Sequence, residues 1–107
     1  MHAGPILPRN DAPIDRSMFE RVRESGRAVV ATAAKLPVVL ADERLPIDAL
    51  SELVTLIDAR RVEIKSIAGD VRNERLRMLA HQIENLWCDL AKLATNRLHR
   101  GYSVHSQ

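Results

Sequence analysis

The chain has 107 residues, enough for one small domain, and 46% of them are apolar, which supports a core and excludes general disorder. Aromatic residues make up only 3% and there are four glycines, a composition that argues against an all-β fold and is typical of helical bundles. The net charge of +2 is small for a protein whose main partner is nucleic acid.

The single cysteine, Cys88, excludes an intrachain disulfide and favours a reducing compartment. No segment approaches the roughly 20 apolar residues that a membrane-spanning helix needs. The N-terminus also lacks the basic region followed by an apolar segment that marks a secretory signal. We therefore expect a cytoplasmic protein that does not associate with a membrane.

Residues 1–13 contain one glycine and three prolines, a density that predicts a flexible arm. A helix is predicted for residues 15–36, starting near Asp15 and ending before Pro37. Its apolar stripe consists of Phe19, Val22, Gly26, Val29, Ala33 and Leu36, flanked by Met18 and Val30. Gly26 is either a tolerated weak point or the site of a close helix crossing.

Residues 36–46 include two prolines, Pro37 and Pro46. Three consecutive aliphatic residues follow the first proline: Val38, Val39 and Leu40. No second convincing strand is present to pair with them. We therefore predict a connecting loop whose valines cover one end of the bundle.

Residues 47–100 carry two aliphatic stripes at heptad spacing, and neither stripe fits a strand. The first stripe consists of Leu50, Leu53, Ile57, Ile64, Ile67 and Val71. The second stripe consists of Leu76, Leu79, Ile83, Leu86, Leu90 and Leu93. At about 100° per residue the two stripes point in different directions, so either the helix breaks between them or one rod presents two faces.

Gly69 and Asp70 are the strongest candidates for a break, because glycine often follows a helix and aspartate often caps the next one. We therefore predict helices over residues 47–68 and 70–100, with Gly101 ending the last helix and residues 102–107 forming a polar tail. The alternative is one helix of about 50 residues, roughly 80 Å long.

The last predicted helix is longer than the other two, so part of the second stripe should remain uncovered by the chain's own helices. An uncovered apolar seam is normally covered by a partner, and a second copy is the simplest partner. The prediction is an all-α three-helix bundle, in which an N-terminal helix joins a helical hairpin and homo-oligomerisation completes the bundle. The predicted protein interface consists of Leu76, Leu79, Ile83, Leu86, Trp87, Leu90 and Leu93.

Trp87 borders this stripe and is either a core residue or a binding hot spot. In both cases its indole N–H needs a hydrogen-bond acceptor when it is buried.

Basic residues suggest a second class of function, a nucleic-acid-binding accessory or regulatory protein. If the helix continued without a break, Arg61, Lys65 and Arg72 would lie on one line, and Arg75 would join them in a dimer. Acidic residues nearby would repel phosphates, and no aromatic residues are interleaved for base stacking. This alternative therefore ranks behind protein–protein interaction.

His81, Glu84 and Cys88 share one face of the last predicted helix, and all three are metal-ligand residue types. A fourth ligand and a tighter motif such as H-E-x-x-H are missing, so the sequence predicts neither a metal site nor a cofactor.

The segment Ile47–Arg61 (IDALSELVTLIDARR) resembles the first helix of the all-helical chorismate mutases, dimeric enzymes that hold a dicarboxylate with arginines and a lysine. The resemblance implies an arginine-lined pocket, but it covers only 15 residues, and Asp70 and Arg72 follow Arg61 too closely for the family's pattern. No glycine-rich phosphate loop or nucleophile motif occurs. We expect a non-enzymatic protein: a small adaptor, regulator or chaperone-like subunit.

Overall fold

The computed structural model describes residues 13–105 of the chain, and the side chains of residues 13–100. Within this range the chain forms three helices and no strand: α1 (Arg16–Ala41), α2 (Ile47–Asp70) and α3 (Glu74–His105). The all-α three-helix fold predicted from the sequence is confirmed. Residues 1–12 of the predicted arm and residues 106–107 of the predicted tail lie outside the described part of the chain.

The N-terminus of α1 is capped by Asp15, as the sequence predicts. Asp15 Oδ1 accepts hydrogen bonds from the backbone N–H groups of Ser17 and Met18, at 2.8 and 3.2 Å. These groups have no acceptor within the helix, so the carboxylate stabilises the first turn.

The predicted end of the first helix at residue 36 is wrong, because α1 continues through Pro37 to Ala41. Proline removes the hydrogen bond that an N–H at position 37 would donate to the carbonyl of Ala33, and its ring crowds that carbonyl. Both Ala33 and Pro37 are exposed, so water can satisfy that carbonyl. The residues predicted to form a loop are therefore helical up to position 41, and Val38 is 75% exposed instead of covering the bundle end.

The packing of Leu36 and Leu40, on either side of the proline in sequence, explains why α1 continues past it. Leu36 is only 2% exposed and Leu40 packs against the core. The carbonyl of Leu40 also accepts a hydrogen bond of 3.0 Å from Arg97 Nε of α3. These contacts anchor the last turn of α1 against α3.

A three-residue turn, Val71 to Asn73, joins α2 to α3, so the hairpin is formed and the single long rod is not. Asn73 Oδ1 accepts a hydrogen bond of 3.0 Å from the backbone N–H of Leu76, which makes Asn73 the cap of α3. Arg77 stabilises the turn, because its Nε and Nη2 donate hydrogen bonds of 3.2 and 3.1 Å to the carbonyl of Val71.

Two boundary predictions at this turn and at the end of α3 need correction. Gly69 and Asp70 are the last residues of α2, and Gly69 does not adopt the left-handed conformation of a glycine that terminates a helix. Gly101 does not end α3, which continues to His105. Glycine only permits a helix end, and the position of Asn73 decides where α3 begins.

The core runs between the three helices. α2 and α3 pack against each other along most of the hairpin, whereas α1 contacts α3 more extensively than α2. Because Ser25 contacts Trp87 and Leu40 contacts Arg97, α1 and α3 run parallel, and α2 is antiparallel to both. The buried core cluster consists of Val22, Val29, Leu36, Ile57, Ile64, Ile67, Ala68, Val71, Leu76, Ala80, Ile83, Trp87, Leu90 and Ala94.

Candidate functional site

The second stripe divides into a covered half and an exposed half. Leu76, Ile83 and Leu90 are 4%, 5% and 8% exposed and belong to the chain's own core. Leu79, Leu86 and Leu93 keep 43%, 48% and 50% of their surface exposed. We call these last three residues the leucine row.

Helix geometry explains the division. The residues of α3 that face the core follow alternating gaps of four and three: Leu76, Ala80, Ile83, Trp87, Leu90 and Ala94. Each member of the leucine row follows a core residue by three positions, which turns its side chain about 60° away from that residue. The fully buried Ala80 and Ala94 were absent from the predicted stripe, because a small side chain gives a weak hydrophobic signal in a sequence.

The predicted interface is therefore corrected: Leu76, Ile83, Trp87 and Leu90 are covered by the chain itself. Trp87 is 2% exposed, and its indole Nε1 donates a hydrogen bond of 2.9 Å to Ser25 Oγ. Ser25 supplies the acceptor that a buried indole requires. Of the two interpretations of Trp87, the structure therefore supports the core residue.

Helix α1 adds two apolar residues beside the leucine row. A Cβ atom placed on Gly26 would lie 3.2 Å from Cδ1 at the tip of the Ile83 side chain, so Gly26 lies in the contact between α1 and α3. Phe19 and Val30 lie seven residues before and four residues after Gly26, on the same flank of α1. They are 39% and 67% exposed.

These residues form one surface on the side of α1 and α3 that faces away from α2. We call it the outer apolar face, and it consists of Phe19, Val30, Leu79, Leu86 and Leu93. The sequence placed Phe19 in the core stripe of the first helix and Val30 beside it. The missing signal was the direction from which α3 approaches, which the contacts of Gly26 with Ile83 and of Ser25 with Trp87 reveal.

A second apolar feature is a groove of about 480 Å³ between α1 and α2. Its lining includes Ala28 and Thr32 of α1, Leu53 and Leu56 of α2, and Trp87 of α3. Leu56 is 59% exposed. The groove arises because α1 leans towards α3, a displacement that no residue pattern predicted.

The predicted basic row does not form a straight line, because the turn at residues 71–73 separates its members. Arg61 and Lys65 lie on α2, Arg72 lies in the turn, and Arg75 lies in the first turn of α3. Arg61 Nε is 2.9 Å from Asp58 Oδ1, and the hydrogen bond to Asp58, together with its negative charge, raises the pKa of Arg61. Arg61 is therefore paired within its own helix.

The polar face of α3 shows ordinary surface interactions. His81 Nδ1 lies 3.2 Å from Glu84 Oε1, and Cys88 is a half-buried free thiol. Among the residues that the structure describes, no three His, Cys, Asp or Glu side chains are grouped closely enough to hold a metal ion. None of the helices in that range is both long and apolar enough to cross a membrane.

No protein-family model, no curated protein and no solved structure matches this chain.

Proposed function

We propose that this protein is a small, non-enzymatic interaction module, an adaptor, regulator or chaperone-like subunit, that binds protein through its outer apolar face and binds a second copy of itself there. The observation that carries this proposal is the leucine row. Three leucines lie seven residues apart on one uninterrupted helix, and each keeps about half of its surface exposed. Cys88, the only cysteine, supports placing the protein in a reducing compartment such as the cytoplasm.

Regular spacing distinguishes the leucine row from scattered surface residues. A single exposed leucine is common on soluble proteins. Seven residues correspond to about two helical turns, or 10.5 Å, which is the repeat at which one helix inserts side chains between those of another. Leu79, Leu86 and Leu93 therefore offer three successive layers to a partner helix.

The leucine row by itself offers too little apolar area for stable binding, so the proposal includes a contribution from α1. Fully burying a leucine contributes about 1.5–3 kcal/mol, and each leucine of the row is already half buried, which leaves roughly 1 kcal/mol per residue. Six such residues in a pair of chains give about 6 kcal/mol, whereas micromolar affinity corresponds to about 8 kcal/mol before the cost of association is counted. Phe19 and Val30 supply additional area on the same face.

Sedimentation equilibrium tests the proposal by comparing the wild type with the double variant Leu86→Gln and Leu93→Gln. We expect the wild type to exceed the 12.0 kDa mass of one chain at tens of micromolar, and the variant to return to it. Glutamine keeps the helix propensity, so the melting temperature of the isolated chain should change little. Substituting Leu90 would be uninformative, because Leu90 is a core residue and its loss would unfold the helix bundle.

A matched control uses Val38→Gln with Val62→Gln, two residues that are 75% and 50% exposed and lie away from the outer apolar face. This variant should keep the wild-type mass. A wild-type chain that sediments at 12.0 kDa even at several hundred micromolar contradicts the proposal. If the control variant dissociates as much as the leucine variant, exposed apolar residues in general cause the association, and the outer apolar face has no special role.

A further inference from the structure

Building on the proposed function, we infer that the partner is a second copy whose α3 lies antiparallel to α3 of the first. In this arrangement Leu86 faces Leu86 of the second copy at a twofold axis. Leu79 of each chain faces Leu93 of the other. The polar residues between the leucines determine this direction.

Four exposed polar residues alternate with the leucines along the same side of α3: Arg75, Gln82, Asp89 and Asn96. Each lies three or four residues from a member of the leucine row, so each occupies the next position of the same helical seam. Any helix that covers the leucines must also be placed against these four side chains.

A parallel pair of α3 helices would place identical residues opposite each other. Asp89 would face Asp89, and Arg75 would face Arg75. Like charges placed against each other at the edge of an apolar seam repel, and each would lose part of its hydration without gaining a partner. Parallel pairing is therefore disfavoured at two positions of the seam.

An antiparallel pair centred on Leu86 removes both conflicts. Asp89 then faces Gln82 of the second copy, whose amide N–H can donate to the carboxylate. Arg75 faces Asn96 of the second copy, whose amide oxygen can accept from the guanidinium. Each contact occurs twice because of the twofold symmetry, and the two helix dipoles oppose each other favourably.

Helix α1 is placed to extend this contact near the axis. Gly26 lies against Ile83, Ser25 lies against Trp87, and α1 runs parallel to α3, so Val30 lies beside the stretch of α3 from Trp87 to Lys92. Val30 is 67% exposed. Both copies therefore bring a valine to the interface, and because the contact is twofold symmetric it closes a pair and leaves no open end for a filament.

Disulfide cross-linking tests the direction of the helices. Three variants carry one cysteine each, Leu79→Cys, Leu86→Cys or Leu93→Cys, in a chain whose native thiol is removed by Cys88→Ser. Each variant, and an equimolar mixture of Leu79→Cys with Leu93→Cys, is oxidised with glutathione disulfide at a concentration at which the wild type is associated. The amount of covalent dimer is then measured on a non-reducing gel.

The antiparallel pair predicts covalent dimer from Leu86→Cys alone and from the mixture. It predicts about tenfold less from Leu79→Cys or Leu93→Cys alone, because identical cysteines would lie roughly 21 Å apart and a disulfide requires Cα atoms within about 7 Å. Efficient self-linking of Leu79→Cys would overturn the inference in favour of parallel helices while leaving the proposed function intact.

Two further outcomes also overturn the inference, and only the first of them leaves the proposed self-association intact. If the chains associate in sedimentation but no variant or mixture cross-links, then α3 does not face α3. If the wild type remains a single chain at all concentrations, both the antiparallel pair and self-association fail together.

Discussion

The indole Nε1 of Trp87 in α3 donates a hydrogen bond of 2.9 Å to Ser25 Oγ in α1, and the two residues are only 2% and 1% exposed. The bond lies in the core and joins residues 62 positions apart in sequence. It connects α1, which contacts the hairpin mainly through α3, to the middle of that helix. The relative position of α1 and α3, and with it the outer apolar face, therefore depends partly on this pair.

We expect Ser25→Ala to lower the free energy of unfolding by about 1–3 kcal/mol, because the buried indole N–H would lose its acceptor. Each kcal/mol corresponds to roughly 4–8 °C in melting temperature for a domain of this size. Denaturant unfolding measures the change. Ser66→Ala on the exposed side of α2 is the control and should have little effect.

A double-mutant cycle with Trp87→Phe distinguishes the hydrogen bond from general packing. Once the indole N–H is absent, Ser25→Ala should cost at least about 1 kcal/mol less than it does in the wild type. Equal costs in both backgrounds would show that the bond does not contribute to stability.

Gly26 and Gly69, which lie inside α1 and α2, should respond differently to alanine. Gly69 of α2 has nothing within 4 Å of an added Cβ, so Gly69→Ala should stabilise the chain by about 0.5–1 kcal/mol through helix propensity. In Gly26→Ala the same gain is opposed by crowding against Ile83 Cδ1, at 3.2 Å. Thermal unfolding should therefore show a higher melting temperature for Gly69→Ala only.

Removing the crowding methyl group tests the cause of that difference. Ile83→Val deletes the Cδ1 atom that an alanine at position 26 would meet. In the Ile83→Val background, Gly26→Ala should become stabilising. A destabilising effect in both backgrounds would locate the strain elsewhere in the crossing of α1 and α3.

The start of α3 should depend on Asn73 and not on Asp70. Asn73→Ala removes the hydrogen bond that the side chain accepts from the N–H of Leu76 and should cost about 0.5–2 kcal/mol. Asp70→Ala should be neutral or slightly stabilising, because a negative charge at the C-terminus of α2 opposes the helix dipole. Urea unfolding of both variants measures the difference in the free energy of unfolding. A larger loss of stability for Asp70→Ala than for Asn73→Ala would show that Asp70 is the cap, as the sequence predicts.

Some of the fold follows from local patterns in the sequence. The heptad spacing of Leu50, Ile57 and Ile64 predicts a helix with one covered side, because a periodicity near 3.6 residues places these side chains together. Asp15 predicts the start of α1, because the cap needs only its own carboxylate and the next backbone N–H groups. The predicted end of α2 differs from the observed end by two residues and the predicted start of α3 by four, because the sequence analysis placed the cap at Asp70 and the cap is Asn73.

Other features were not predictable because they depend on how the helices cross. Pro37 remains within α1 because the Ala33 carbonyl, which receives no N–H from the proline, lies at an exposed position. Leu36 and Leu40 meanwhile pack against the bundle. Ala80 and Ala94 are core residues because they face inwards, although a sequence pattern gives them little weight beside leucine.

The sequence by itself determined that Leu76 to Leu93 form an apolar side of a helix, because side-chain direction depends only on the helical repeat. Only the tertiary structure decided that Ile83 is covered and Leu86 is not. Coverage depends on the direction from which α1 approaches α3, and the contacts of Gly26 with Ile83 and of Ser25 with Trp87 lie on the covered side.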